Sequence, residues 1–229
     1  MAPAHVDPDK IAAFDLETTG TDPLTAHVVT ASLIHFDRGV EAETCGWLAD
    51  PGIDIPDAAT RVHGITTEYA RKNGKPHGIV VEELITALRE AWGAGYTVVA
   101  YNAPYDLGVL HSQGSNFTIS GPVLDPLVVD RARDRFRKGK RTLTLVAEHY
   151  KVPLANAHDA HSDARAAGLI ARRMLTETYP DLTSMTVDDL MAAQTNWHRT
   201  HQTGLREFLQ KKGSDVSNFK ITAWPLPTR

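Results

Sequence analysis

Two carboxylates, Asp15 and Glu17, stand two residues apart at the end of a short apolar run, Lys10-Ile11-Ala12-Ala13-Phe14-Asp15-Leu16. The run reads as a buried strand, and side chains at i and i+2 leave a strand on one face. Both acids therefore enter one space. Like charges held together raise each other's pKa, and a bound cation relieves the conflict; a solvated strand end with a capping Asp is the simpler alternative. Asp106 follows a second apolar run in Tyr101-Asn102-Ala103-Pro104-Tyr105-Asp106. It falls at a carboxyl strand edge, where sites of open α/β sheets collect, although an acid in a first helical turn also complements the helix dipole. Asp163 opens a helix whose positions 163, 167, 170 and 174 read Asp, Ala, Ile and Met. It thus shares the inward face with core residues, which calls for a capping role or a cation. His158 lies five residues earlier, in the loop entering that helix. Imidazole titrates near neutrality and takes a proton from water, but the chain has 11 histidines, so residue type alone decides nothing.

The elements that would carry these groups follow from periodicity. Residues 10–16 form a first strand, and His27 to Phe36 and Gly39 to Leu48 continue it as an antiparallel meander. Asp50 to Thr60, with Pro51, Gly52 and Pro56, reads as loop. Val80, Leu84, Ile85, Leu88 and Trp92 recur at helical spacing. Tyr96 to Tyr101 is a fourth strand, followed by a helix near 103–113; a fifth short strand falls at Val123-Leu124, with helices near 125–136 and 142–150. The clearest helix covers 160–177, and 186–212 forms another. The tail Ala223-Trp224-Pro225-Leu226-Pro227 is extended, because its prolines forbid helix. The expectation is an α/β protein with a mixed five-stranded sheet flanked by helices. A Pro break at Tyr179-Pro180-Asp181 divides it into a domain over 1–178 and a helical C-terminal extension with a Pro-containing tail over 179–229.

Three segments in order carry a resemblance: Phe14-Asp15-Leu16-Glu17-Thr18-Thr19-Gly20, Tyr101-Asn102-Ala103-Pro104-Tyr105-Asp106 and His158-Asp159-Ala160-His161-Ser162-Asp163-Ala164. They resemble the exonuclease motifs of the DnaQ-like 3′–5′ exonucleases over residues 10–176, within the subgroup of four acids and a histidine to which the bacterial replicative proofreading subunit belongs. Arg61-Val62-His63-Gly64-Ile65-Thr66 is similar to a segment common between the first two motifs. The sister subgroup carries Tyr four residues before the last acid, where this chain has Asp159. Tyr105 stands where Phe is commoner and Tyr101 where His is frequent; neither change removes a metal ligand.

The resemblance implies a ribonuclease-H-like fold and two divalent cations. Carboxylates without thiolates suit Mg²⁺ or Mn²⁺ over Zn²⁺, and two such ions about 4 Å apart stabilise attacking and leaving oxygens of a phosphoryl displacement. By resemblance Asp15 bridges both ions, Glu17 and Asp163 complete one site, Asp106 serves the other, and His158 deprotonates the attacking water. Leu16, Thr18, His63, Ile65, Asn102 and Tyr105 are the implied substrate contacts, with stacking and apolar contact for Tyr105, Ile65 and His63 set against plain core packing and turn roles. The substrate would be a single-stranded 3′ end, of DNA in proofreading or repair, and the product a nucleoside 5′-monophosphate. An RNA-trimming exoribonuclease is the alternative within the family. A catalytically idle nucleic-acid-binding module and an integrase-type or ribonuclease-H-type endonuclease are the alternatives outside it.

Other signals bound the partners. The balance of 24 basic and 28 acidic residues gives net −4, so the chain is not a basic nucleic-acid coat. The run Arg131 to Arg141 nevertheless holds seven basic residues against Asp134, as a solvated helix face or a phosphate track. One cysteine, Cys45, excludes an internal disulfide and a multi-thiolate site. The histidine pairs 158/161 and 198/201 lack the further ligands of a zinc site. Gln202-Thr203-Gly204-Leu205-Arg206-Glu207-Phe208 has the spacing of sliding-clamp peptides, but Trp197, His201, Leu205 and Phe208 share a helical stripe, which favours core packing. A DNA polymerase or a sliding clamp would be the protein partner. No signal peptide or membrane span is read, and a cytoplasmic location is expected.

Overall fold

The computed structural model describes residues 4–114 and 116–226; the first three residues of the N-terminal stretch and Pro227 of the tail lie outside the described residues. Strands β1 (Lys10–Thr18), β2 (Val28–Asp37) and β3 (Val40–Asp50) form the antiparallel meander. Helices α1 (Asp57–His63) and α2 (Thr67–Asn73) follow, then β4 (Lys75–Pro76) and α3 (His77–Gly93). The second half runs β5 (Thr97–Val99), α4 (Ala103–Gln113), β6 (Val123–Leu124), α5 (Pro126–Arg133), α6 (Leu143–His149), α7 (Ala160–Arg173) and α8 (Val187–Lys211). The sheet order is β4-β3-β2-β1-β5-β6, with β5 parallel to β1 and β6 parallel to β5.

This is the expected mixed sheet flanked by helices, with a sixth strand added. β4 has two residues, one a proline, too few for any period to register. β1 reads as continuous apolar sequence because both its faces are covered. Ala12, Phe14 and Leu16 face one core with α3 and α4, while Ile11 and Ala13 face the other with α7. On that second face α7 lies almost on the strands: a Cβ added at Gly168 would stand 2.6 Å from Phe36 and 2.8 Å from the Cβ of Ala13. The bare backbone lets the helix carrying Asp163 approach the strand carrying Asp15.

Three local expectations are corrected. Asp57 to Thr60 is helical, not loop, because Pro56 sets the entry to α1, Asp57 complements its first turn and Gly64 closes it at φ 77°. The helix expected to 136 ends at Arg133, since the Arg137 guanidinium folds back onto Asp130 and Asp134 and turns the chain. Core packing of the whole stripe on α8 also fails. Leu190, Gln194 and His198 are buried, but Leu205 and Phe208 are exposed. The cause is length: α8 packs on α5, and 25 residues reach about 37 Å where the eight of α5 reach about 12 Å.

The C-terminal residues share the cores of the sheet. Gln194 accepts from the Asp125 N–H at 2.8 Å and donates to the Val123 carbonyl at 2.9 Å. Leu182 and Trp224 are buried, each in one of the two clusters. Among the described residues no helix is long and apolar enough to cross a membrane.

Candidate active site

β1 runs through the middle of the sheet, and its carboxyl end delivers Asp15 and Glu17 to one opening. β5 lies parallel beside it, and three residues after its end Asn102 takes a left-handed conformation (φ 69°) and turns the chain into α4. Proline at the first turn of α4 has no N–H to leave unsatisfied. One turn later Asp106 points back at β1 and accepts the Leu16 N–H at 3.1 Å. On the other side α7 begins at its cap Asp159, whose side chain accepts the Ser162 N–H at 2.9 Å. The capping role therefore belongs to Asp159, and Asp163 is free for another. His158, just before that cap, also adopts a left-handed conformation (φ 67°), and its N–H donates to Asp163 Oδ2 at 3.1 Å. A non-glycine residue in this region is uncommon and held by its surroundings.

Together Asp15, Glu17, Asp106, His158 and Asp163 line a cavity of about 450 Å³. Ligand atoms of Glu17, His158 and Asp163 lie within 4.8 Å of one another. Asp163 Oδ1 is buried without a hydrogen-bond partner, an acceptor that calls for a cation or a donor. The electrostatics agree. Burial, and after it the carboxylates of Asp106, Asp163 and Glu17, push Asp15 well above the ordinary range. Burial pushes Asp106 up as well, against the pull of the Leu16 N–H. Glu17 is raised to about 7 by burial and by Asp163 and Asp159. Asp163 is raised by burial and partly restored by the His158 N–H. Four acids that resist ionisation in one cavity, without a thiolate among them, form a donor set for a hard divalent cation.

The remaining sequence candidates divide. Leu16, Asn102 and Tyr105 stand on the cavity wall. The Tyr105 hydroxyl donates to the Gly20 carbonyl and pairs with Thr18 Oγ1, which ties the turn after β1 to α4. His63 ends α1, and its Nδ1 accepts the Ile65 N–H at 3.1 Å. Ile65 packs against the small cluster of Val29, Ile55 and Ala70. His198 is occupied by Thr222 and Gln202, as a structural histidine. A second group, Asp130, Asp134 and His149, is neutralised by Arg137 and Arg141.

Sequence reasoning missed Asp125. This fully buried carboxylate accepts the N–H groups of Asn102 and Ala103 at 3.1 and 3.0 Å and of Leu127 at 3.0 Å, and so fixes the turn that aims Asp106. The signal was present as an Asp before Pro126 at a helix start. Arg131 and Arg141 also reach the cavity wall.

Comparison with known proteins gives the family. Residues 12–171 match the RNase_T family, described as Exonuclease. A PolC-type DNA polymerase III of Clostridium perfringens is 29% identical over 72% of this chain, which spans only 11% of that polymerase. A DNA polymerase III subunit epsilon of Rickettsia conorii is 24% identical, with 92% of this chain matching 96% of that subunit. Among solved structures, E. coli exonuclease I in complex with a dT13 oligonucleotide superposes with a TM-score of 0.59 at 19% identity, covering 77% of this chain and 43% of that one. A 3′-exonuclease that recognises the histone mRNA stem-loop gives 0.60 at 14% identity over 77% and 67%. Motif order, sheet topology and family match lead to one assignment: the chain belongs to the RNase_T exonuclease family, as a DnaQ-like 3′–5′ exonuclease.

Proposed function

We propose that the chain removes nucleotides singly from the 3′ end of single-stranded DNA and releases nucleoside 5′-monophosphates. The observation that carries this reading is the meeting of four carboxylates with raised pKa and an exposed histidine in one cavity. A volume of about 450 Å³ lies in the range that takes a single small ligand, which suits a strand end and not a duplex. DNA is favoured because the relatives matched along the sequence are DNA polymerase III proteins; the carboxylates themselves see only phosphates, which RNA shares. A DNA polymerase is the partner we propose, with the cytoplasm as the location. The clamp-like segment Gln202–Phe208 is helical throughout, unlike an extended docking peptide.

Exonucleases of this family are divalent-metal dependent. Asp15, Glu17, Asp106 and Asp163 would hold two cations, Mg²⁺ or Mn²⁺, and the unpartnered Asp163 Oδ1 fits that role. When bound, the cations neutralise the carboxylates and stabilise charge on the phosphodiester oxygens. His158, at the mouth of the cavity beside Glu17 and Asp163, takes the proton of the attacking water. The water oxygen bonds to phosphorus as the bond to the 3′ oxygen breaks. Leu16, Asn102 and Tyr105 form the wall against which the terminal nucleotides lie, with Thr18, His63 and Ile65 behind it.

The test uses 5′-labelled DNA and RNA of one sequence with Mg²⁺ or Mn²⁺. A descending ladder on DNA, faster than on RNA and absent in Asp15→Asn, is expected. Internal fragments, or an unchanged ladder in Asp15→Asn, would overturn the assignment.

A further inference from the structure

A second cavity, about 530 Å³, opens beside the catalytic one. One wall is the turn between α5 and α6, and the other is the distal half of α8. Its lining includes Arg131, Arg135, Arg137, Lys140, Arg141 and His201. Arg131 and Arg141 line both cavities, so the two adjoin at these side chains.

The cations there are not equivalent. Arg137 is held by Asp130 and Asp134 at 2.5 and 3.0 Å, and Arg141 by Asp130 at 2.5 Å. These two build the turn: Arg141 also donates to the Asp134 and Arg137 carbonyls at 2.9 Å. Among the described residues no carboxylate forms an ion pair with Arg131, Arg135 or Lys140, and Arg131 is half-buried. Burial, then the charges of Arg131, His198 and Arg141, hold His201 down to about 4; Asp125 and Asp130 act on Arg131 only at a distance, without an ion pair. A protein of net −4 concentrates unpaired positive charge here, next to its cluster of acids.

Phe136 adds a second, independent observation. Its ring is 86% exposed, between Arg135 and Arg137, with the Arg135 guanidinium 5.2 Å from its centroid. An aromatic ring left in water beside unpaired cations is the pairing that single-stranded nucleic acids use, bases on the ring and phosphates on the cations. The exposed second half of α8, which the fold does not need for its core, gains a purpose as the far wall.

We propose that this cleft is the path of the sugar–phosphate backbone upstream of the 3′ terminus, with Phe136 as a stacking surface for one of its bases. The inference rests on the reading of the chain as an exonuclease on single strands. Arg131, at the junction of the cavities, holds the phosphate nearest the site; Arg135 and Lys140 hold phosphates farther up the strand.

The test measures anisotropy of 5′-fluorescein-dT12 with the full chain in chelator, across a salt series, where nothing turns over. In Arg135→Gln/Lys140→Gln the slope of log K against log salt should shrink by about 1.4, since each contact to a single strand contributes about 0.7. Phe136→Ala should weaken dT12 about 5- to 150-fold, and with Mn²⁺ added the preference for dT12 over dT2 in kcat/KM should fall by a similar factor. All three side chains are exposed, so the variants keep the fold. Variants that match the wild type in slope and dT12 affinity overturn the cleft and leave the exonuclease reading standing. Polyglutamate that displaces dT12 as well as unlabelled dT12 does also overturns it, in favour of an acidic protein. A wild-type chain that binds dT12 through these residues but degrades nothing with metal removes the exonuclease reading and leaves the cleft assigned.

Discussion

The backbone N–H of His158 donates to Asp163 Oδ2 at 3.1 Å while Asp163 Oδ1 stays buried and unpartnered. One residue thus has two separable duties. The peptide group of His158 fixes the carboxylate of Asp163, and its imidazole lines the cavity.

That separation gives the first prediction. His158→Asn keeps the peptide N–H and tolerates the left-handed backbone better than most residues. Turnover should fall roughly 10²- to 10⁴-fold, the range of a lost general base, while Mn²⁺ affinity by calorimetry stays within a few-fold. Asp163→Asn should instead lower Mn²⁺ affinity, because a carboxylate ligand is lost. Equal loss of metal in both variants would show that His158 acts only through its neighbour.

Glu17 gives a pH dependence whose sign is fixed. Its carboxyl is raised from 4.5 to about 7 in the folded chain, so between those values the native state holds more protons than the unfolded one. Stability present below pH 4.5 is therefore lost as pH rises to about 7, and the burial cost of the charge is complete above it. In chelator, Glu17→Gln should melt higher than wild type at pH 7.5, and the difference should shrink toward pH 5. Mn²⁺ should raise the wild-type Tm more at pH 7.5 than at pH 5.5. A difference independent of pH would mean that Glu17 is not strained by ionisation.

Asp106 lines the cavity and also bonds to the backbone of β1. Asp106→Asn keeps an oxygen for the buried Leu16 N–H and removes a buried charge, so its Tm should equal or exceed wild type while activity is lost. Asp106→Ala leaves that N–H unsatisfied at a cost of about 1–3 kcal/mol. The contrast is read by thermal melts in chelator. Similar melts for Asn and Ala would show that the hydrogen bond to β1 contributes nothing.

The residues that the structure brings together in the cavity were visible because each announces itself by type and place: acids where apolar strands end, and an acid on the inward face of α7. What sequence could not show was the support. Asp125 looks like an ordinary helix cap, and only the folded chain, which sets the start of α5 against the start of α4, reveals that it holds the Asn102 turn. The capping duty assignable to Asp163 belongs to Asp159, a choice that needs the rotation of α7 about its axis. β4 was too short to have a period. The fate of Leu205 and Phe208 depended on the relative lengths of α5 and α8, which no stripe on α8 encodes.

The last prediction tests how far the C-terminal residues belong to the site. The buried indole of Trp224 fills a gap beside α8, and its Nε1–H donates to Asp125 Oδ2 at 3.3 Å. Trp224→Ala removes both volume and donor. A buried Trp→Ala change costs about 3–5 kcal/mol, which for a chain of this size lowers Tm by about 6 to 20 °C. Trp224→Phe keeps most of the volume. Asp125 retains the Asn102, Ala103 and Leu127 N–H donors, so losing one long hydrogen bond should cost only about 0.5–1.5 kcal/mol. The route to the site runs from Trp224 through Asp125 to the turn that aims Asp106. Loss of activity in Trp224→Ala should therefore begin at a lower temperature than in Trp224→Phe and follow the melting curve, with metal affinity intact where the fold is intact. If Trp224→Ala melted within 2 °C of wild type, the tail would be an ornament on the surface of α8. A stable variant with weakened Mn²⁺ binding would instead place the contribution of Trp224 in the geometry of Asp106, beyond its packing.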